Sequence, residues 1–401
     1  MLLVKLAAVF AVILGLMWLR RPLFLAILGG IVVAVPLYGI PIGTFLKLAL
    51  NAVTSLGTLE ILLVLYLITY LQRMLEERGQ LLRAQRSLNG IFNNRRINAS
   101  LAPIFIGLLP SAAAVTICGE IVDSAVGDAL SVEEKTFVTS YYRHIPESIL
   151  PTYSSVIIAC TLSGVSVGAF VAGMFPMVLV LAALGHFFYL RKVPRETGDV
   201  PSQNRLHDLV NLFRSVWTLF LVIALILVLE MKVWMATGIV LLLNILVDRF
   251  KPAELLPMAA SAFDKRMISN TLLIFIFKDV LIHVGVIDVM PTYFARLPLP
   301  SFLVFALLFF FGTLVGGANT IAATCTALAF STVPGAGMPL LVLLMGYAYA
   351  AMQLSPTHIC LAIVTEYFGI GMTPLIRKTL PVVLSFCAIL IGYYALLTAL
   401  L

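Results

Sequence analysis

Charge is what this 401-residue sequence has least of. Asp, Glu, Lys and Arg together make up 11% of the chain, against roughly 25% in soluble globular proteins. Hydrophobic residues make up 61% and the mean hydropathy is +1.06. That leaves too little polar surface to cover a water-exposed globule, and it excludes the two or three soluble domains that length alone would suggest. Cysteine is sparse as well. Cys118, Cys160, Cys325, Cys360 and Cys387 sit in apolar stretches without metal-type clustering, so they are expected to be small core residues and not a disulfide or zinc framework. The sequence also lacks His-Glu-x-x-His and a Walker-type phosphate loop. Neither an intramembrane enzyme nor an ATP-driven pump is therefore expected, and no catalytic residue, metal ligand or cofactor is assigned. The 26 Lys+Arg against 19 Asp+Glu give a net charge of +7. In so apolar a chain that excess reads as the loop bias that orients membrane proteins, with no nucleic acid as partner.

What is present is a series of long apolar runs between a few charged islands. In the run from Met1 to Leu19 the strong charge, Arg20-Arg21, follows the apolar residues and no small-residue cleavage site of a signal peptide appears, so a first retained span is expected. Further spans are expected near 22–40, 57–75, 138–162, 165–190, 207–229, 231–248, 267–288, 340–365 and 378–400. Two other apolar segments, near 99–128 and 299–332, carry Pro or Gly at mid-length and read as re-entrant hairpins. The islands at Arg73–Arg96, Arg191–Asp208 and Asp248–Arg266, with Arg377-Lys378, fall on one side when Arg20-Arg21 lies inside. The expectation is a multi-pass protein of the cell (inner, cytoplasmic) membrane with both termini external.

A repeat organises these runs. At an offset of 205 residues, Phe105 falls on Phe310, Gly107 on Gly312, Pro151 on Pro356, Thr152 on Thr357, Gly164 on Gly369, Pro176 on Pro381 and Tyr189 on Tyr394. The fold class expected is an all-α polytopic membrane protein made of two repeats, residues 1–190 and 207–401, joined by a cytoplasmic linker over 191–206. Each repeat holds five spans and one hairpin. An odd number of spans gives the two repeats opposite orientations in the bilayer, the inverted topology of many secondary transporters.

The candidate site residues lie at the breaks and hairpin tips. Pro151 and Pro356 interrupt spans at matching positions, and the freed carbonyls and half-helix ends are tolerated only where protein or a cavity satisfies them. Pro146-Glu-Ser-Ile-Leu-Pro-Thr-Tyr-Ser-Ser155 contributes Thr152 and Ser154, and Gln353-Leu-Ser-Pro-Thr-His358 contributes Ser355, Thr357 and His358. The tip Gly312-Thr-Leu-Val-Gly-Gly-Ala-Asn-Thr-Ile-Ala-Ala-Thr-Cys325 contributes Gly316, Gly317, Asn319 and Thr320, in a stretch (299–376) whose only formal charge is Glu366. The equivalent tip of the first half, Gly107-Leu-Leu-Pro-Ser-Ala-Ala-Ala114, offers Pro110 and Ser111 but no Asn. Asn319 is expected to face the second break, Ser355–His358. Arg143, His144 and Glu147 lie at i, i+1 and i+4, so Arg143 and Glu147 can pair along a helix. The alternative is an internal salt bridge or an interfacial anchor, and His144 and Glu147 are candidates for coupling. Half-helix N-termini aimed at the midplane favour an anionic ligand.

Two hairpin-plus-broken-helix repeats with a Gly-Gly-Ala-Asn-Thr tip resemble the ion-transporter superfamily, which includes the citrate, dicarboxylate, gluconate and lactate permeases. Leu354-Ser-Pro-Thr-His-Ile-Cys-Leu361 with Glu366-Tyr-Phe368 is similar to an uncharacterised prokaryotic integral-membrane family grouped with them. The resemblance implies elevator-type secondary transport of a small organic, carboxylate-type anion, with Na+ or H+ as coupling ion and no cofactor. It implies that Ser111, Asn319 and Thr320, with Thr152, Ser154, Ser355 and Thr357, contact substrate or ion. The apolar spans 1–40 and 207–248 are expected to form a static scaffold and a homodimer interface within the lipid bilayer. An ion channel or an amino-acid carrier on the same architecture is the alternative.

Overall fold

The computed structural model describes residues 2–19, 21–80, 83–84, 87, 91, 94–108, 114–196, 204–229, 231–285, 298–355 and 358–400, and among these the regular structure is helical with no strand. In chain order the helices are α1 (Leu2–Trp18), α2 (Leu23–Tyr38), α3 (Ile42–Thr54), α4 (Leu56–Glu77), α5 (Arg95–Ile106), α6 (Ala114–Val126), α7 (Val132–His144), α8 (Ser154–Ser163) and α9 (Val167–Phe188). They continue as α10 (Arg205–Val228), α11 (Val233–Val247), α12 (Pro252–Ala262), α13 (Lys265–His283), α14 (Ser301–Thr332), α15 (Met338–Met352), α16 (Ile359–Tyr367) and α17 (Met372–Leu400).

Among the described residues four helical stretches are long and apolar enough to cross a bilayer unaided: α4, α9, Arg205–Ile226 of α10, and α17. Leu46, Leu50, Phe213, Leu242, Leu246 and Leu384 are exposed on helix surfaces. In water such surfaces would be an association hazard, but against lipid tails they are the expected covering. The chain is a helical membrane protein.

Local chemistry sets the helix ends. Ser55 caps α4 by accepting from the Thr58 amide, Asn94 caps α5, and Ser131 with Glu134 forms a reciprocal capping box at α7. α7 stops at His144, where the chain tightens into a 3-10 turn (Ile145–Ser148) containing Pro146. Helix resumes only at Ser154, past Pro151. The segment near 138–162 is thus two half-helices, as is the one near 340–365, where α15 ends at Met352 and α16 begins at Ile359. The hairpin near 99–128 is α5 and α6. The one near 299–332 is the single run α14, broken by Gly317 at φ 77°, ψ 161°, a left-handed conformation that favours glycine.

Two helices fall between the spans read from sequence. α3 occupies 42–54, between the spans expected near 22–40 and 57–75, and α12 forms the apolar patch inside the Asp248–Arg266 island. Both are short and amphipathic, too short to span and too apolar to stand out as loops. α12 is tied to α4 by hydrogen bonds from Tyr66 Oη to Ala259 O (3.2 Å) and from Tyr70 Oη to Leu255 O (3.1 Å). Arg78, at the end of α4, pairs with Glu254 at 3.0 Å, and its hydrogen bond holds that carboxyl below the usual range.

Helix starts recur along the chain. α8 and α16 begin 205 residues apart, as do α9 and α17, and Gly164 (φ 73°) and Gly369 (φ 66°) follow the two half-helices in left-handed conformation. Packing crosses between the halves. α4 lies on α11 and α12 while α13 lies on α2 and α3; α9 packs on α15 and α17 on α7; α8 packs on α14 and α16 on α6.

At both glycines an added Cβ would meet nothing within 4 Å, so only backbone strain opposes alanine. Gly164→Ala and Gly369→Ala are each expected to cost about 1–2 kcal/mol and to shift the thermal midpoint by similar amounts. A much larger loss at either position would mean that the turn carries packing as well as conformation.

Candidate functional site

The two helix breaks and the two hairpins meet, and four contacts define how. Tyr153, just before α8, donates its hydroxyl to Gly107 O at 2.5 Å, holding the first hairpin to the first break. Gly107 is required there, because a Cβ would sit 1.9 Å from the Arg143 carbonyl oxygen. Ser355, in the second break, donates to Leu314 O at 2.9 Å. That carbonyl lies just before the Gly317 break, where helix carbonyls lose their intrahelical partners. The hydroxyl of Ser154, the first residue of α8, donates to Asn319 Oδ1 at 3.0 Å across the interface between halves. Finally, Nε2 of His358 lies 3.0 Å from Nε2 of His144, joining the second break to the first.

Beneath these contacts is a buried polar cluster. Arg143 heads the largest fully buried side chains, at 1% exposure, and Nη1 of Arg143 reaches Oε1 of Glu147 at 3.2 Å. Glu147 Oε1 is also 3.9 Å from His144 Nε2. His144 Nδ1 lies 2.5 Å from the Ser140 carbonyl oxygen. A carbonyl only accepts, so Nδ1 carries the proton and the Nε2 lone pair faces His358. Cys360, two residues past His358, brings its thiol into the same space: its Sγ and one ring nitrogen each of His144 and His358 all lie within 4.8 Å of one another.

The field at this centre is set by the backbone. Arg143 and Glu147 cancel as formal charges. α8 and α16 begin without a side-chain cap, so their first-turn N–H groups and positive dipole ends remain directed at the breaks. Thr152 Oγ1 is buried without a hydrogen-bond partner, and Thr152 lines a cavity of ≈ 20 Å³ with Pro151, Gln72 and Thr237, space for about one water.

Of the residues singled out in the sequence, Thr152, Ser154, Gly316, Gly317, Asn319, Thr320, Ser355, His358, His144 and Glu147 are brought to this region. Pro110, Ser111, Pro356 and Thr357 lie outside the described residues. Three assignments change in detail. The hydrogen bond of Asn319 goes to Ser154 at the first break and not to the Ser355–His358 segment it was expected to face. Ser355 caps a hairpin carbonyl, and buried Thr320 turns its hydroxyl back to Gly316 O, so both hydroxyls have structural partners in the hairpin. Gly107, Tyr153 and Cys360 join the site only in the structure. Gly107 is one of the seven repeat identities, Tyr153 adjoins Thr152 and Ser154, and Cys360 is two residues past His358. The sequence spacing contains no metal-type cluster; the one at His144, His358 and Cys360 is created by the fold.

Comparison with curated proteins gives no match. The family model described as Protein of unknown function (DUF401) matches residues 2–397, nearly the whole length over which the breaks, the tips and their supporting helices are laid out, and the chain belongs to that family.

Proposed function

We propose that this protein is a secondary transporter of a small organic anion of the carboxylate type, coupled to Na+ or H+. In this reading it is built from two inverted-topology repeats and works by an elevator motion, as the resemblance to the ion-transporter superfamily implies. The observation that carries the proposal is the hydrogen bond between Ser154 and Asn319, at an exposed position on the uncapped start of α8. A hairpin tip joined to a helix N-terminus by an exchangeable hydrogen bond is a place where a carboxylate can enter, accept from the amides and the Ser154 hydroxyl, and receive from the Asn319 amide. The 205-residue recurrence of helix starts and the crossed packing of α4 and α13 support the two-repeat part of the reading. The scaffold would comprise α1, α2, α10 and α11 and form a homodimer in the cytoplasmic membrane, with both chain termini outside. Hairpins and broken helices would move against it as one body.

Counterflow in proteoliposomes tests this. Vesicles loaded with an unlabelled carboxylate should accumulate the labelled species transiently and saturably, and net uptake should follow an imposed Na+ or proton gradient. Flux that rises linearly with concentration and shows no counterflow would overturn the carrier reading in favour of a channel. A thiol introduced by Gly317→Cys should be modified from the external face in one ligand condition and protected in another. Equal labelling in all conditions would remove the moving hairpin.

A further inference from the structure

The convergence of His144, His358 and Cys360 offers a chemistry that anion binding does not use. We infer that these three side chains form a binding site for a borderline-soft divalent ion of the zinc class. The two Nε2 atoms come from different broken helices and already stand 3.0 Å apart, and Cys360 Sγ lies within 4.8 Å of a ring nitrogen of each histidine. Around a tetrahedral zinc with bonds of about 2.0–2.1 Å to nitrogen and about 2.3 Å to sulfur, the nitrogens lie about 3.3 Å apart and the sulfur about 3.6 Å from each. The imidazoles therefore have nearly the right spacing, and the thiol has about an ångström to close from the first turn of α16.

His144 is prepared for this role. Its Nδ1–H donates to Ser140 O at 2.5 Å, the outer contact that typically fixes the tautomer and orientation of a metal-bound imidazole. Without an ion, the Nε2 lone pair of His144 accepts a hydrogen bond from His358 Nε2–H. With one, the His358 proton moves to Nδ1, so that both Nε2 lone pairs face the ion, and the Cys360 thiol gives up its proton to solvent. Glu147, 3.9 Å from His144 Nε2, and the new thiolate set two negative charges against the dication and Arg143. Two imidazoles and one thiolate leave a fourth position open. A bound ion would join the last residue of α7 to the start of α16, stapling the first break to the second.

The test is titration of tag-free, detergent-purified protein with Co2+ and then Zn2+. Wild type should bind one Co2+ per chain, with a near-ultraviolet thiolate-to-cobalt band and the visible bands of a four-coordinate site, and Zn2+ should abolish both. Cys360→Ser should remove the thiolate band. His144→Gln should weaken Co2+ binding at least about tenfold, since even outer partners of metal ligands are worth 10- to 100-fold. Circular dichroism and size-exclusion profiles report whether the variants fold, and the wild-type spectrum decides the matter if they do not. Absence of a thiolate band at Co2+ saturation, or a band that survives Cys360→Ser, overturns the site. Binding is read without any transport assay, so failure here and failure of the anion-carrier reading are separate results.

Discussion

Arg143→Ala is expected to destabilise the protein by about 3–5 kcal/mol, because it leaves the carboxylate of Glu147 buried without its guanidinium. Arg143 is 1% exposed and its Nη1 lies 3.2 Å from Glu147 Oε1, whose side chain is 11% exposed. Water cannot replace the lost partner without opening the junction between α7, its 3-10 turn and the first hairpin. The effect should therefore be strongly non-additive. Glu147→Gln removes the charge that Arg143 balances, and adding it to Arg143→Ala should recover part of the lost stability. Thermal unfolding in detergent for the two single variants and the double variant gives the coupling energy directly. Simple addition of the two single losses would mean that the pair is screened by water and that this centre is open in solution. The design of the measurement matters, since a buried ion pair as a whole can be worth little even when breaking it costs a great deal.

The second large effect is on transport. Asn319→Ala and Ser154→Ala are each expected to lower substrate affinity about 5- to 150-fold, the equivalent of 1–3 kcal/mol for a buried hydrogen-bonding group left unpaired in the bound state. Expression and thermal midpoint should stay close to wild type, because Asn319 is exposed and its side chain accepts one 3.0 Å hydrogen bond, from Ser154. The double variant should lose little more than the worse single, since both side chains act on one ligand and on each other. Concentration dependence of counterflow separates the outcomes. A raised half-saturation with an unchanged maximal rate marks ground-state binding, whereas a lowered maximal rate with unchanged half-saturation marks a gate between α8 and the hairpin. Wild-type transport in both single variants would remove Ser154 and Asn319 from the site.

The sequence by itself determined the class of the protein and the places where its helices fail. With 11% charge and 61% hydrophobic residues the chain has no soluble solution. Pro151 forces its break through covalent geometry, by fixing φ and removing a backbone donor, and a glycine pair at 316–317 permits one by allowing positive φ. These effects act within a few residues, so they are legible without a fold, and so is the period of 205 that aligns Gly164 with Gly369. Short amphipathic helices such as α3 and α12 escaped, because their apolar content is intermediate between span and loop and only the helices they lie against tell them apart. Tertiary structure alone decided who meets whom. That Ser154 reaches Asn319 across 165 residues, that His144 reaches His358 across 214, and that Arg143 is sealed from solvent depend on how α7, α8, α14, α15 and α16 pack together. Helix packing is chosen by the fit of whole surfaces, and no short motif in the chain records that fit.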